Sequence, residues 1–259
     1  MKMRLKQILF AGLCLIFPGL SYGQTAQPEL EFFQAKGDKA KGMTILILPG
    51  GGYTHHAMEH EGHDWVPFFN NLGVNVAVLK YKLPKGDCNI PLNDVKASMQ
   101  KLKDNCKEWN INPDMIGIMG FSAGGHLAST YSTHTQGELK PAFQILFYPV
   151  ISFQSGLTHK GSRDNFLGED QSDERVALYS NELQVTKDTP PAILFHSDND
   201  GLVVPDNSIN YYQALRKAGV SASLHIYPAG EHGWGFRESF PYHEAVKDEL
   251  TLWLQYMQN

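Results

Sequence analysis

The stretch "MIGIMGFSAGGHLASTYS", Met115–Ser132, sets the reading of the whole chain. Its first six residues form a continuous apolar run, the pattern of a strand covered on both faces. "AGGHLASTYS" reads as a helix. Between the two, Ser122 is crowded by Gly120, Gly124 and Gly125, where a plain turn needs a single glycine. G-x-S-x-G between a strand and a helix places the serine at a sharp, strained turn with its hydroxyl projecting from the sheet. Glycines at 120 and 124 leave clearance where strand and helix cross, and Gly125 extends it. The helix N-terminus adds unpaired N–H groups that favour negative charge developing at Ser122. The competing reading is a helix-capping serine beside tight packing, and the motif alone does not choose between them.

Outward from this stretch, apolar runs alternate with amphipathic ones. Strands are expected at "MTILIL" (Met43–Leu48), "VNVAVLKY" (Val74–Tyr81), "FQILFYPV" (Phe143–Val150), "AILFHS" (Ala192–Ser197) and "SLHIYP" (Ser223–Pro228). Helices are expected at "HDWVPFFNNL" before Gly73, at Asn93–Asn110, at "NSINYYQALRKAG" ending on Gly219, and in a final helix with Val246, Leu250, Trp253 and Met257 on one face. Strands alternating with helices imply βαβ units, hence an α/β fold with a mostly parallel sheet covered by helices on both faces. The polar stretch 152–189 breaks the rhythm and holds no clear strand. It reads either as a small cap inserted over the carboxyl edge of the sheet or as a long surface excursion. No boundary resembles a linker, so residues 24–259 read as one domain.

Residues 1–23 differ from the rest. Lys2, Arg4 and Lys6 precede the apolar "ILFAGLCLIFPGL", and small Ser21 and Gly23 follow. This is the pattern of a cleavable secretory signal peptide. The apolar run is short for a membrane span and Pro18 interrupts it. Leu13 before Cys14 does not suit lipid attachment. Export to the periplasm or medium, with no stable membrane anchor after cleavage, is the expectation. Cleavage removes three positive charges and no negative ones, taking the formal charge from −5 to −8. An acidic chain argues against nucleic acid as a partner. Cys88 and Cys106 remain, and the helix between them separates them by about 20 Å, beyond the reach of a disulfide; two free thiols are expected.

Ligands of open parallel sheets bind beyond the carboxyl ends of the strands. "PGGGY", "GFSAGG", "HSDNDG" and "GEHGWG" all fall there, from widely separated parts of the chain. A serine needs a base, and the base an orienting carboxylate. Among eleven histidines, His126 lies along the helix after Ser122, and His196 and His225 lie in strands; all three read as structural. His232 sits in a glycine-flanked loop after the last strand and is the candidate base. Asp198 and Asp200 both follow the strand ending at Ser197. Asp200, further into the turn, is the better placed to reach across to the histidine. Acyl transfer also needs two N–H donors for an oxyanion. Ala123, after the serine, supplies one, and Gly51 or Gly52 in the bare "PGGGY" loop supplies the other. A phosphate cradle is the rival for that loop, but no G-K-[ST] follows. Tyr53 and Trp234, in the same loops, either line a sugar-binding wall or pack internally. No histidine or cysteine spacing suggests a metal, and the chemistry calls for no cofactor.

Taken together, "PGGGY", "HEG" (His60–Gly62), "LGVNVAVLKYKL", "PLNDV", "IGIMGFSAGGHLA", "YPVIS", "TPPAILFHSDND", "VPDNS" and "YQALRKAGVSASLHIYPAGEHGWGF" resemble the small α/β-hydrolase serine esterases of the acetyl-xylan-esterase and lipase-like type. The resemblance implies an α/β-hydrolase fold and a Ser122–His232–Asp200 triad, with oxyanion donors at Gly51 or Gly52 and Ala123. It implies an acetylated carbohydrate or other small ester as substrate. Relatives of this kind also include general carboxylesterases and feruloyl esterases, and a prolyl-oligopeptidase-like serine peptidase would use the same triad. Glu231 departs from the pattern, where relatives often carry glycine.

Overall fold

Seven strands form one sheet in the order β1-β3-β2-β4-β5-β6-β7 in a computed structural model that describes residues 28–258. The proposed signal peptide, residues 1–23, lies outside the described residues. The strands are β1 Glu29–Phe33, β2 Thr44–Leu48, β3 Asn75–Lys80, β4 Ile116–Phe121, β5 Gln144–Phe147, β6 Ala192–Ser197 and β7 Ala222–Tyr227. All neighbours pair in parallel except β1, which runs antiparallel to β3.

The central strands are buried at every position, and apart from Thr44 and Gln144 at their amino ends they present apolar residues or glycine to both faces. Leu46, Leu48 and Ile118 join one core with α2 (Asn89–Asp104), α3 (Ser122–His134) and α6 (Asp206–Lys217). Ile45, Ile47, Met119 and Phe121 join the other with α1 (Trp65–Asn71) and α7 (His243–Met257). Period-two alternation delivers neighbouring residues to opposite faces, and each face finds a helix layer. Trp65 packs against Phe69, Phe121 and Phe147 within this second core. Truncating such a buried aromatic costs about 3–5 kcal/mol.

Two elements differ from the sequence-based expectation. β1 escaped notice because it is a short edge strand, only partly covered. Phe32 stacks on Trp109 at 4.5 Å between ring centroids, and Lys80 Nζ donates to Glu29 Oε2 at 2.8 Å across the pair. The helix expected over Asn93–Asn110 instead runs Asn89–Asp104. Pro91 is accommodated because it falls in the first turn, where N–H groups have no intrahelical partner. Turns follow Asp104, and Asn110 at φ 51° lies in the left-handed conformation that asparagine tolerates. Cys106 therefore sits beyond the helix and is half-buried, while Cys88 is buried; both thiols are free.

Between β5 and β6, the stretch 152–189 carries α4 (Lys160–Leu167) and α5 (Asp173–Leu178). It lies against the carboxyl-end loops. Asn165 Nδ2 donates to Gly52 O at 2.9 Å, and Gly86 N–H donates to Asn165 O at 2.8 Å.

Candidate active site

β4 ends at Phe121 and α3 begins at once on Ser122, whose φ is 51°. For a residue with a Cβ, that conformation is held only by its surroundings. The glycines allow the tight crossing. A Cβ on Gly124 would stand 2.1 Å from Leu48 O, and one on Gly120 would stand 2.3 Å from Gly124 O. The result aims the Ser122 hydroxyl away from the sheet.

His232 Nε2 lies 2.8 Å from Ser122 Oγ, and His232 Nδ1 lies 2.6 Å from Asp200 Oδ2. A carboxylate only accepts, so Nδ1 carries the proton and Nε2 is left to accept the serine proton. Asp200 is buried, and its other oxygen accepts from the Leu202 and Val203 N–H groups at 3.0 and 2.9 Å. Burial opposes its charge, but hydrogen bonds from His196 and His232 outweigh that and hold the carboxyl well below the usual carboxylate range. Asp198, the other candidate, is exposed.

His196 has the structural role expected of it, and it plays that role beside the candidate site. Its Nε2 donates to Val203 O at 2.8 Å and stands 3.3 Å from Asp200 Oδ2, and its Nδ1 accepts from Ser208 Oγ at 2.7 Å. It fixes both the carboxylate and the turn that carries it. The signal for this was its position four residues before Asp200. His126 is fully internal, bonded to Tyr53 and to Tyr179 O, and burial pulls its imidazole down to about 3.

The Gly50–Gly52 loop passes directly against the serine. A Cβ on Gly50 would stand 2.9 Å from Ser122 Cβ. Gly50 N–H is engaged by Glu61 Oε2 at 2.8 Å. The Gly51 and Gly52 N–H groups donate to no other group among the described residues, and Ala123 N–H lies in the first turn of α3, where helices leave donors unpaired. These three sequence-selected donors thus border Ser122, and a cleft of about 470 Å³ opens there, lined by Gly51, Gly52, Ser122, His159 and His232 among others.

Tyr53 and Trp234 do not line that cleft. Tyr53 is 2% exposed, packed on Phe166 and Tyr81 with its hydroxyl on His126 Nδ1 at 2.9 Å. Trp234 is 4% exposed, stacked on Phe240 at 3.9 Å, with its Nε1 donating to Ser197 Oγ. Both rings turn inward because each finds a polar partner for its one polar atom inside the protein. The cleft instead receives His159, from the residue before α4, which no motif marked in the sequence. Burial and the nearby His232 lower its imidazole below the ordinary value. Glu231, with φ 55°, is exposed and its N–H is held by Asn199 Oδ1 at 2.9 Å. Among the described residues, no group of three or more His, Cys, Asp and Glu side chains is placed to hold a metal ion. No helix there is long and apolar enough to cross a membrane.

A strained serine after a central parallel strand, with a histidine and a carboxylate gathered from later strand ends, defines an α/β-hydrolase, and residues 45–236 match that fold family; the chain belongs to it. Within the family it is 43% identical over 222 residues to an acetylxylan esterase of Xylanibacter ruminicola, covering 84% of this chain and 46% of that one. It is 31% identical to endo-1,4-beta-xylanase B of Butyrivibrio fibrisolvens, over 76% of this chain and 33% of that one. The chain thus spans less than half the length of these relatives. The crystal structure of an acetyl ester-xyloside bifunctional hydrolase from Caldicellulosiruptor lactoaceticus superimposes with a TM-score of 0.83 at 33% identity, covering 89% of this chain and 88% of that one.

Proposed function

We propose that this chain is an exported serine esterase that removes acetyl groups from substituted plant polysaccharide or oligosaccharide. The observation that carries the reading is the continuous hydrogen-bonded line from Ser122 Oγ through His232 to Asp200, set beside a glycine loop with free N–H groups. The similarity to an acetylxylan esterase supports the acetyl substrate. The basic and apolar pattern of residues 1–23 supports export.

In this reading Ser122 Oγ attacks the ester carbonyl as His232 Nε2 takes its proton. Asp200 holds the ring by Nδ1 and stabilises the imidazolium. The carbonyl oxygen gains charge and accepts from Ala123 N–H and from Gly51 or Gly52 N–H. His232 then gives that proton to the departing sugar oxygen as the ester C–O bond breaks, leaving acetyl on Ser122. Water, deprotonated by the same nitrogen, attacks the acetyl carbonyl; the bond to Ser122 Oγ breaks, His232 returns the proton to that oxygen, and acetate leaves. Each oxyanion donor contributes about 10²–10³ in rate in sites of this kind.

Acetate release from acetylated xylan, and hydrolysis of p-nitrophenyl acetate, are the direct assays for wild type and Ser122→Ala. The expected loss is at least about 10⁴-fold. Unchanged turnover in the variant sinks the mechanism. A feruloyl ester cleaved faster than the acetyl ester redirects the substrate assignment, and a prolyl amide cleaved faster than either redirects the reaction class.

A further inference from the structure

Glu61 is a buried carboxylate that the mechanism above does not use. It is 3% exposed and stands in the wall of the cleft. It sits on a single π-helical turn, Glu59–His63, closed by His63 N–H to Met58 O at 2.8 Å and Asp64 N–H to Glu59 O at 3.0 Å. Such widened turns concentrate at functional sites. Both carboxylate oxygens are committed. Oε2 accepts from Gly50 N–H at 2.8 Å, and Oε1 accepts from Tyr148 O–H at 2.7 Å. The Tyr148 oxygen in turn accepts from Gly235 N–H at 2.8 Å. The Tyr148 ring meets the His232 imidazole edge-on, with centroids 4.8 Å apart. The same turn touches the histidine loop again: His60 O accepts from Phe236 N–H at 2.7 Å.

A buried charge is costly without compensation. The nearest cationic candidate, His60 Nε2, is 4.0 Å away, and burial lowers the His60 imidazole toward its neutral form. The carboxylate is therefore held by two hydrogen-bond donors, and each donor belongs to a different part of the site.

We propose that Glu61 is a positioning residue that holds the Gly50–Gly52 loop against Ser122 and, through Tyr148, sets the loop that carries His232. The inference rests on the serine-esterase reading. The choice of carboxylate follows from the partners, since both present donors. An amide has one accepting and one donating edge, so glutamine would turn an NH₂ group toward either Gly50 N–H or Tyr148 O–H. Aspartate keeps two acceptors but is one methylene shorter.

The test uses Glu61→Gln, Glu61→Asp and Tyr148→Phe in the full chain, with Ser122→Ala as reference. Thermal melts establish that each is folded. Hydrolysis of p-nitrophenyl acetate gives kcat and KM, and inhibition by phenylboronic acid, which forms a tetrahedral adduct on serine, reports the oxyanion donors. For Glu61→Gln, kcat is expected to fall about 10²-fold with KM changed less than about 3-fold. Boronate affinity is expected to fall in step with kcat/KM. Glu61→Asp is expected to restore part of kcat, and Glu61→Gln with Tyr148→Phe to lose less than the product of the two single losses. If Glu61→Gln does not fold, Tyr148→Phe decides alone, with a loss of about 10-fold expected. Folded variants with wild-type kcat/KM and boronate affinity, beside an inactive Ser122→Ala, overturn the inference and leave the esterase reading standing. An active Ser122→Ala overturns both.

Discussion

The two ends of the sheet handle backbone strain differently. At the amino ends of the strands, the turns that need positive φ use Gly42, Gly73, Gly219 and Asn110, residues for which that conformation is easy. At the carboxyl ends, positive φ falls also on Tyr53, Lys85, Ser122, Tyr148 and Glu231. Each such residue costs on the order of 1–3 kcal/mol. At three of them the side chain makes a specific bond that glycine could not: Ser122 to His232, Tyr148 between Glu61 and Gly235, and Tyr53 to His126. The amino end carries turns; the carboxyl end carries the candidate site, and the buried core lies between them.

The largest expected effect separates the two at a single residue. Ser122→Gly and Ser122→Ala are both expected to lose at least about 10⁴-fold in kcat/KM. Ser122→Gly should nevertheless melt above Ser122→Ala, by an amount on the order of 1 kcal/mol, because glycine adopts φ 51° freely. Equal melting temperatures, or a lower one for glycine, would show that the elbow is unstrained. Asp200→Asn comes next, with kcat expected to fall about 10⁴-fold while the fold persists. Its carboxyl is held below the usual range in the folded protein, so its stabilising contribution is present above the unfolded value of about 4 and is lost as pH falls below it. The melting gap between wild type and Asp200→Asn should therefore narrow on acidification below about pH 4. A gap that widens contradicts the depressed carboxyl.

At the amino end the pattern should invert. Gly73→Ala forces a Cβ to 2.3 Å from Lys39 O at φ 81°. Destabilisation of about 2 kcal/mol or more is expected, with kcat/KM on p-nitrophenyl acetate unchanged. A selective loss of activity would break the division between the two ends. The smallest effect is expected at Glu231→Gly. Relief of the strain at φ 55° is partly offset by the greater unfolded-chain freedom of glycine, leaving a net gain under about 1 kcal/mol. A marked loss of stability there would assign Glu231 a role that its exposed side chain does not suggest.

What the sequence revealed follows the same division. The parallel sheet was legible because strands buried on both faces read as unbroken apolar runs, as in "MTILIL" and "MIGIMG". Ser122, Asp200 and His232 were legible as candidates because each follows an expected strand at a glycine-marked turn, and the structure brings the three within hydrogen-bond reach. β1 was not legible, since a partly covered edge strand of five residues has neither a long run nor a clean alternation. Glu61, although it falls within "HEG", and His159 had no role legible in the sequence, because what they touch comes from elsewhere in the chain: Tyr148 and Gly50 for one, the lining of the cleft for the other. Tyr53 and Trp234 show the converse. Their positions in site loops are visible in the sequence, but the inward turn of each ring depends on buried partners, His126 and Ser197, that only the folded chain supplies.

The most direct test of Ser122 as the acyl-accepting group is rapid quenching of the wild-type protein during turnover of p-nitrophenyl acetate, followed by peptide mass mapping. An acetyl group on the peptide bearing Ser122, appearing with the first turnover and absent from Ser122→Ala, is the expected result. Acetylation that follows turnover kinetics on another residue, with Ser122 unmodified, would contradict it.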